Sequence, residues 1–299
     1  MVRPASFGFN PETAPTVLFQ REITDANRRE IERRARIEFD ILAGRLKGAG
    51  VHVIVAEDKE ELHTPDAVFP NNWVSFHHDG TVVLYPMFAP SRRPERRRDI
   101  IEGLEIGGYR VSRVIDLTHY EDKGRFLEGT GSVVFDHIDR FAYANISPRT
   151  SPDVLGDLCG TLGYEPVTFR ALRGNGDAIF HTDVTMSVGD SFAVFCPDSI
   201  PEPIDRKRVF DSLKSSGREI VIIDLNQLEH FAGNVLQLQT QQGAGVLAIS
   251  TAACLALRKD QRDAIEKYAQ IVESPLPVFE GIGGGSARCM MADVHLPRR

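Results

Sequence analysis

Cysteine is scarce in this 299-residue chain: four residues, Cys159, Cys196, Cys254 and Cys289, with no CxxC spacing among them. That scatter excludes a disulfide framework and a thiolate zinc site, and it fits reduced thiols in a cytoplasm. No apolar run approaches the roughly 18 residues of a membrane span, and the opening Met1-Val2-Arg3-Pro4 has no apolar signal segment. A basic excess is also missing. The net charge of −7 and pI near 5.7 exclude nucleic acid as the main partner, which would need a basic face. The local exception is Arg92, Arg93, Arg96, Arg97 and Arg98, but Glu95 and Asp99 are interleaved with them, so a solvated face is expected for most of the five.

What the sequence does hold is a repeat. Five times a helix-period segment ends at a glycine or turn and runs into a short β-branched strand. The helical segments are 24–49, 93–106, 151–162, 205–216 and 257–271; the strands are 51–55, 109–114, 164–169, 219–223 and 276–279. Strand starts therefore recur about every 55 to 58 residues. After each of the first four strands comes an alternating hairpin: 73–76 with 81–85, 132–135 with 141–145, 184–188 with 192–195, and 235–238 with 246–249. The fifth begins at Ala287 and lacks a return strand, which Val2–Phe7 could supply. This predicts an α/β ring of five modules and one domain over 1–299, because the first and last modules would share a sheet.

Such a ring brings the hairpin starts together. They carry Asp66 to Asn72, Leu127-Glu128-Gly129, Phe180-His181-Thr182-Asp183, His230 to Asn234 and Ala287-Arg288-Cys289. Cys289 follows Gly283-Gly284-Gly285-Ser286, a run that lets backbone approach a ligand closely, and has a cation beside it, which favours a nucleophilic thiolate. His181 can act as acid and base near neutral pH. Glu128 and Asp183 supply carboxylates, groups that suit a planar guanidinium. Cysteine, histidine and carboxylates at one address are the parts of nucleophilic catalysis.

In this order, Asp66 to Asn72, Phe126-Leu127-Glu128-Gly129, Ser147-Pro148-Arg149-Thr150, His181-Thr182-Asp183 and the late cysteine resemble the guanidino-group modifying enzymes of the pentein superfamily. The resemblance spans essentially the whole chain. It lies toward dimethylarginine dimethylaminohydrolases, arginine deiminases and amidinotransferases, and further toward bacterial hydrolases assigned to citrulline utilisation. It implies a five-bladed α/β propeller, no metal and no organic cofactor. By resemblance Cys289 is the nucleophile, His181 the general acid/base and Glu128 the carboxylate at the reacting carbon. Asp66 and Phe69 line the pocket, Arg149 holds the substrate α-carboxylate, Arg92 comes from a mobile loop, and Asp183 contacts the guanidinium. One departure stands out: Asn71-Asn72 occupy a place where the relatives carry a carboxylate. A neutral amide keeps a donor and an acceptor but binds a cation less well, which turns attention to an uncharged ureido group as in citrulline.

The expected activity is hydrolysis of a C–N bond in a guanidino or ureido amino acid through a covalent cysteine intermediate. The partner is that small molecule, with no nucleic acid or membrane, and a homo-oligomer is left open. Two alternatives remain: an amidinotransferase, differing in whether water or an amine accepts the group, and a non-catalytic binder on the same fold.

Overall fold

The computed structural model describes residues 1–13 and 25–299. The first strand, β1 (Val2–Arg3), pairs in parallel with β2 (Ala56–Glu57). Four three-stranded sheets follow with one shared plan. In the first, β3 (Val74–Phe76) is antiparallel to β4 (Thr81–Leu84), which is parallel to β5 (Arg113–Asp116). The second joins β6 (Val133–Asp136), β7 (Phe141–Asn145) and β8 (Glu165–Phe169) in the same way. In the third, β10 (Phe192–Phe195) lies between β9 (Met186–Val188) and β11 (Glu219–Ile222). In the fourth, β13 (Gly245–Ser250) lies between β12 (Leu236–Gln239) and β14 (Gln270–Ser274). Each third strand follows a helix, as a parallel pairing requires a crossover.

The helices form where the apolar spacing changes from 2 to 3.6. Asp25–Gly48 buries Ala35, Phe39, Leu42, Ala43 and Leu46, one stripe along one face. Pro152–Leu162 starts on a proline, whose missing N–H costs nothing there, and ends at Gly163 with φ 72°. The remaining crossovers are Arg98–Ile106, Pro203–Ser215 and Lys259–Glu266.

Four expectations need correction. The strand read at 276–279 is at 270–274 instead, and Phe279–Gly283 forms a wide helical turn, because Pro277 has no N–H to give a ladder. The strand read over 51–55 reduces to Ala56–Glu57 plus an isolated bridge from Val51 to Thr240. The helix expected over 93–106 begins at Arg98, since Pro90–Glu95 is a tighter 3-10 turn containing Pro94. Residue 24, the expected start of the first helix, lies outside the described residues. Ala287–Met290 is likewise a 3-10 turn and not a hairpin strand, and Val294 makes a parallel bridge to Phe76.

Candidate active site

In the first two modules the elements that carry functional side chains lie just before the inner strands β3 and β6. Pro70–Asn72 is a single 3-10 turn before β3, Gly129–Ser132 a helical turn before β6, Thr182–Val184 a turn before β9, and Ala287–Met290 a turn in the last module. These turns pack on one another, so residues far apart in sequence share one buried site. Close approach demands glycine at two of them. A Cβ on Gly129, which has φ 47°, would fall 2.1 Å from the Asn71 carbonyl oxygen. One on Gly131 would fall 2.4 Å from Asn72 Nδ2 and 3.1 Å from His181 Nδ1.

Glu128 is fully buried, and its Oε2 lies 2.7 Å from His181 Nε2 and 3.3 Å from Arg149 Nη1. Its Oε1 accepts from the Phe88 backbone N–H at 3.0 Å. Burial opposes ionisation, but Arg149, His181 and Arg92 together hold the carboxyl well below the usual carboxylate range. An ionised Glu128 accepts the His181 Nε2 proton and leaves Nδ1 facing Gly131 and Asn72.

Cys289 Sγ accepts from Asn234 Nδ2 at 3.2 Å and lies 3.4 Å from Asp183 Oδ2. Burial first, and the Asp183 charge second, push the thiol well above an ordinary cysteine. Burial likewise raises the Asp183 carboxyl. Asn71 Nδ2 donates to Asp183 Oδ2 at 3.2 Å. The ring of Phe69 closes against the glycine loop: a Cβ on Gly285 would meet it at 2.8 Å, and Cys289 Cβ at 3.3 Å.

A buried cation bounds the other side. Arg92 forks onto Glu95 at 2.9 Å twice and donates to Asn72 Oδ1 at 2.8 Å, with Asp66 at 3.8 Å. Asp66 Oδ2 also accepts from Asn10 at 2.7 Å. Because Arg92 only donates, it fixes the Asn72 amide with its oxygen outward and its Nδ2 turned toward Gly131. Four buried polar atoms in this cluster, Asp66 Oδ1, Asn71 Oδ1, Asn72 Nδ2 and Asp183 Oδ1, have no protein partner. Unpaired buried polar atoms are costly, and four of them in one cluster suit a polar guest.

All ten expected residues lie in this assembly, though three in surroundings the sequence did not suggest. Glu128 sits against His181 and Arg149. Arg149 is buried, paired with Glu128 and 5.8 Å from the Phe88 ring. Arg92, expected on a mobile loop, is nearly inaccessible in a 3-10 turn and paired with Glu95, while Arg93 and Arg96 pair with Glu121 and Arg97 with Asp99. Sequence reasoning missed Asn234 and Glu95. Asn234 stood in the fourth hairpin start beside His230, but His230 is exposed and bonds the Asn226 carbonyl. Glu95 was hidden by its place in a run of arginines. Cys159 and Cys196 are buried and Cys254 is half-buried, with burial raising all three thiols.

Comparison with known proteins adds to this geometry. No curated protein sequence matches the chain. Among solved structures, the N-terminal domain of ArgZ, a cyanobacterial arginine dihydrolase, bound covalently to a reaction intermediate, superposes with a TM-score of 0.72 at 18% identity, covering 97% of this chain and 94% of that one. AgrE, in ternary complex with ornithine and NAD+, matches at TM-score 0.72 and 20% identity, over 100% of this chain and 39% of its own. A dimethylarginine dimethylaminohydrolase in an adduct with S-methyl-L-thiocitrulline matches at 0.61 and 15%, covering 87% and 88%. At these identities the likeness is one of fold. The family model for N,N dimethylarginine dimethylhydrolase, eukaryotic, matches residues 3–296, nearly the full length, and the chain therefore belongs to that family, pentein-superfamily hydrolases acting on C–N bonds of linear amidines.

Proposed function

We propose that the chain hydrolyses a C–N bond of an arginine-like guanidino amino acid, with Cys289 as nucleophile, His181 as acid/base, and the five repeated modules arranged as a five-bladed α/β propeller around the site. The observation that carries the reading is the gathering of Cys289, the Glu128–His181 pair and the unpaired oxygens of Asp66, Asn71 and Asp183 in one buried cluster. Three acceptors without donors suit a group rich in N–H, and two of them belong to carboxylates that suit its positive charge. The parallel relation of β1 to β2 repeats that between the second and third strands of every other sheet, which supports β1 as the return strand of a fifth blade and β2, after its crossover helix, as that blade's third strand.

The resting thiol is protonated, because it is buried beside Asp183. A guanidinium placed between Asp183 and Cys289 offsets that negative charge and lowers the cost of a thiolate. His181 Nδ1 takes the thiol proton while Glu128 balances the charged ring. Sulfur then bonds to the guanidinium carbon, the C–N bond to the leaving amine breaks, and that amine takes the proton from His181. A thiouronium ester of Cys289 remains. Water loses a proton to His181 and attacks the same carbon; the C–S bond breaks, the ureido product leaves, and the sulfur recovers the proton. The resemblance assigns the substrate carboxylate to Arg149 and Arg92, which the fold pairs with Glu128 and with Glu95.

One observation favours a second substrate. Asn72 Nδ2 is a donor with no partner, and a donor fits an oxygen, not another N–H. A ureido group presents that oxygen, so citrulline-like substrates belong to the same reading. The test is incubation with arginine, methylated arginines, agmatine and citrulline, assaying ammonia, methylamines, citrulline and ornithine. Release of ammonia or an amine from at least one, lost in Cys289→Ser, supports the reading; no turnover of any sinks it.

A further inference from the structure

The strands that start at the catalytic turns end at a second, unassigned place. β3 runs into His77 and His78 and β6 into His137, while Asp293 and His295 come from the last segment; together they line a cavity of about 780 Å³ with Arg288. Three or four residues of strand at about 3.3 Å each separate the histidine end from the catalytic turns, so the histidine cluster is a different site, although Thr130 and Arg288 of those turns also line the cavity.

The side chains here are an unusual set. One donor atom each from His137, Asp293 and His295 lies within 4.8 Å of the other two. The rings are packed closely, two pairs tilted and one edge-on: His137 to His295 at 4.4 Å between centroids, His78 to His295 at 4.6 Å and His78 to His137 at 5.7 Å. Imidazoles packed this way repel when protonated and gain little from one another when neutral, so their gathering in an open cavity calls for a shared guest. One outer partner, Tyr164, and one contact within the cluster already orient two of them. Tyr164 Oη holds His137 Nδ1 at 2.7 Å, which leaves Nε2 for a ligand. Asp293 Oδ2 lies 2.7 Å from His295 Nε2, and Arg288 lies 3.8 Å from the other Asp293 oxygen. Hydroxyl or carboxylate partners on the second ring nitrogen are what metal-bound histidines ordinarily have.

We propose that this cavity binds one divalent transition-metal ion of the zinc, cobalt or nickel class, held by His137, His295 and Asp293 with His78 as the fourth donor. Imidazole nitrogens with a single carboxylate select these ions over magnesium or calcium. Nitrogens at about 2.0–2.1 Å from a tetrahedral ion lie closer together than 4.8 Å, and rotation of side chains that face an open cavity closes the set. Histidine recurs here, but no CxxC or HxxxH spacing announces it: His78, His137 and His295 lie on three separate segments, so the sequence showed no metal site.

The experiment is titration of the chelator-treated full chain with Co(II) and Zn(II), followed by visible absorption and calorimetry, on the wild type, Cys289→Ser, His137→Ala/His295→Ala and Asp293→Asn. The proposal expects one ion per chain, a tetrahedral Co(II) spectrum without thiolate charge-transfer bands, and binding unchanged in Cys289→Ser. Each ligand substitution should weaken binding by about 10- to 100-fold. Unfolding of the metal-free variants, followed alongside, shows that they fold, and Asp293→Asn preserves shape should the double variant not. Absence of binding in the wild type overturns the proposal. So does binding that vanishes in Cys289→Ser while surviving in both ligand variants, which would place the ion on the catalytic thiol.

Discussion

In the proposed reaction three atoms carry the chemistry: Cys289 Sγ, Asp183 Oδ2 and Glu128 Oε2. Since Asp183 and burial raise the thiol, a neutral alkylating agent should label Cys289 slowly at pH 7 and progressively faster toward and beyond pH 9. A cationic amidine should label it quickly at pH 7, because it brings the charge that Asp183 lacks. Equal rates for the two reagents at pH 7 would contradict this pairing. Glu128 acts through His181: Glu128→Gln keeps the shape, replaces an ionised acceptor by an amide, and should lower kcat by roughly 10²- to 10⁴-fold with KM little changed. Circular dichroism would confirm the fold. Most of these residues were legible from their types and repeated positions. Their pairings were not, because a sequence does not say that Glu128 lies under His181, or that Arg92 turns inward to Glu95 and fixes the Asn72 amide.

At the scale of elements, the 3-10 turn at Asn71-Asn72 packs on the helical turn at Gly129–Ser132 with room for no side chain between them. Gly131→Ala puts a methyl 2.4 Å from Asn72 Nδ2 and 3.1 Å from His181 Nδ1. It should lower kcat/KM by at least about tenfold, roughly 1.4 kcal/mol, with a small change in melting temperature. The long helix Asp25–Gly48 reports on a different contact: its buried Glu38 accepts from the Val278 N–H at 3.0 Å, next to Phe279, whose ring meets Phe7 at 4.8 Å. Burial pushes the Glu38 carboxyl up to about 7, against those backbone hydrogen bonds. The folded state thus holds a proton that the unfolded chain has released, so Glu38 costs stability as pH rises from its ordinary value of 4.5 through about 7. Melting temperature should fall over that window, and by less in Glu38→Gln; identical pH profiles would exclude the effect. Hairpins and crossover helices were readable because period 2 and period 3.6 differ clearly over eight or more residues. Short pieces were not: Leu276-Pro277-Val278-Phe279 looks β-like by composition, yet proline and tertiary packing make it a turn.

Across the whole molecule, four sheets of one topology and a two-stranded fifth bring turns from every part of the chain to one cleft, and return the same strands to the histidine cavity. The ends are tied in: Pro297 accepts from Arg110 N–H at 2.8 Å, and the Met1 ammonium donates to the Ile54 carbonyl at 2.9 Å. If 1–299 is one domain, calorimetry should show a single transition, and removing 293–299 should lower its midpoint; two separable transitions would argue for two domains. The repeat made the four sheets of like topology legible, whereas Val294 bridging to Phe76 depends on a fold already formed. The proposed reaction requires a covalent bond to one sulfur. Acid quench of the wild type during incubation with arginine and citrulline, followed by peptide mass spectrometry, should show a mass increase on the peptide containing Cys289 and on no other cysteine peptide. Turnover of either substrate by the wild type, with that peptide unmodified throughout and activity retained in Cys289→Ser, would contradict it.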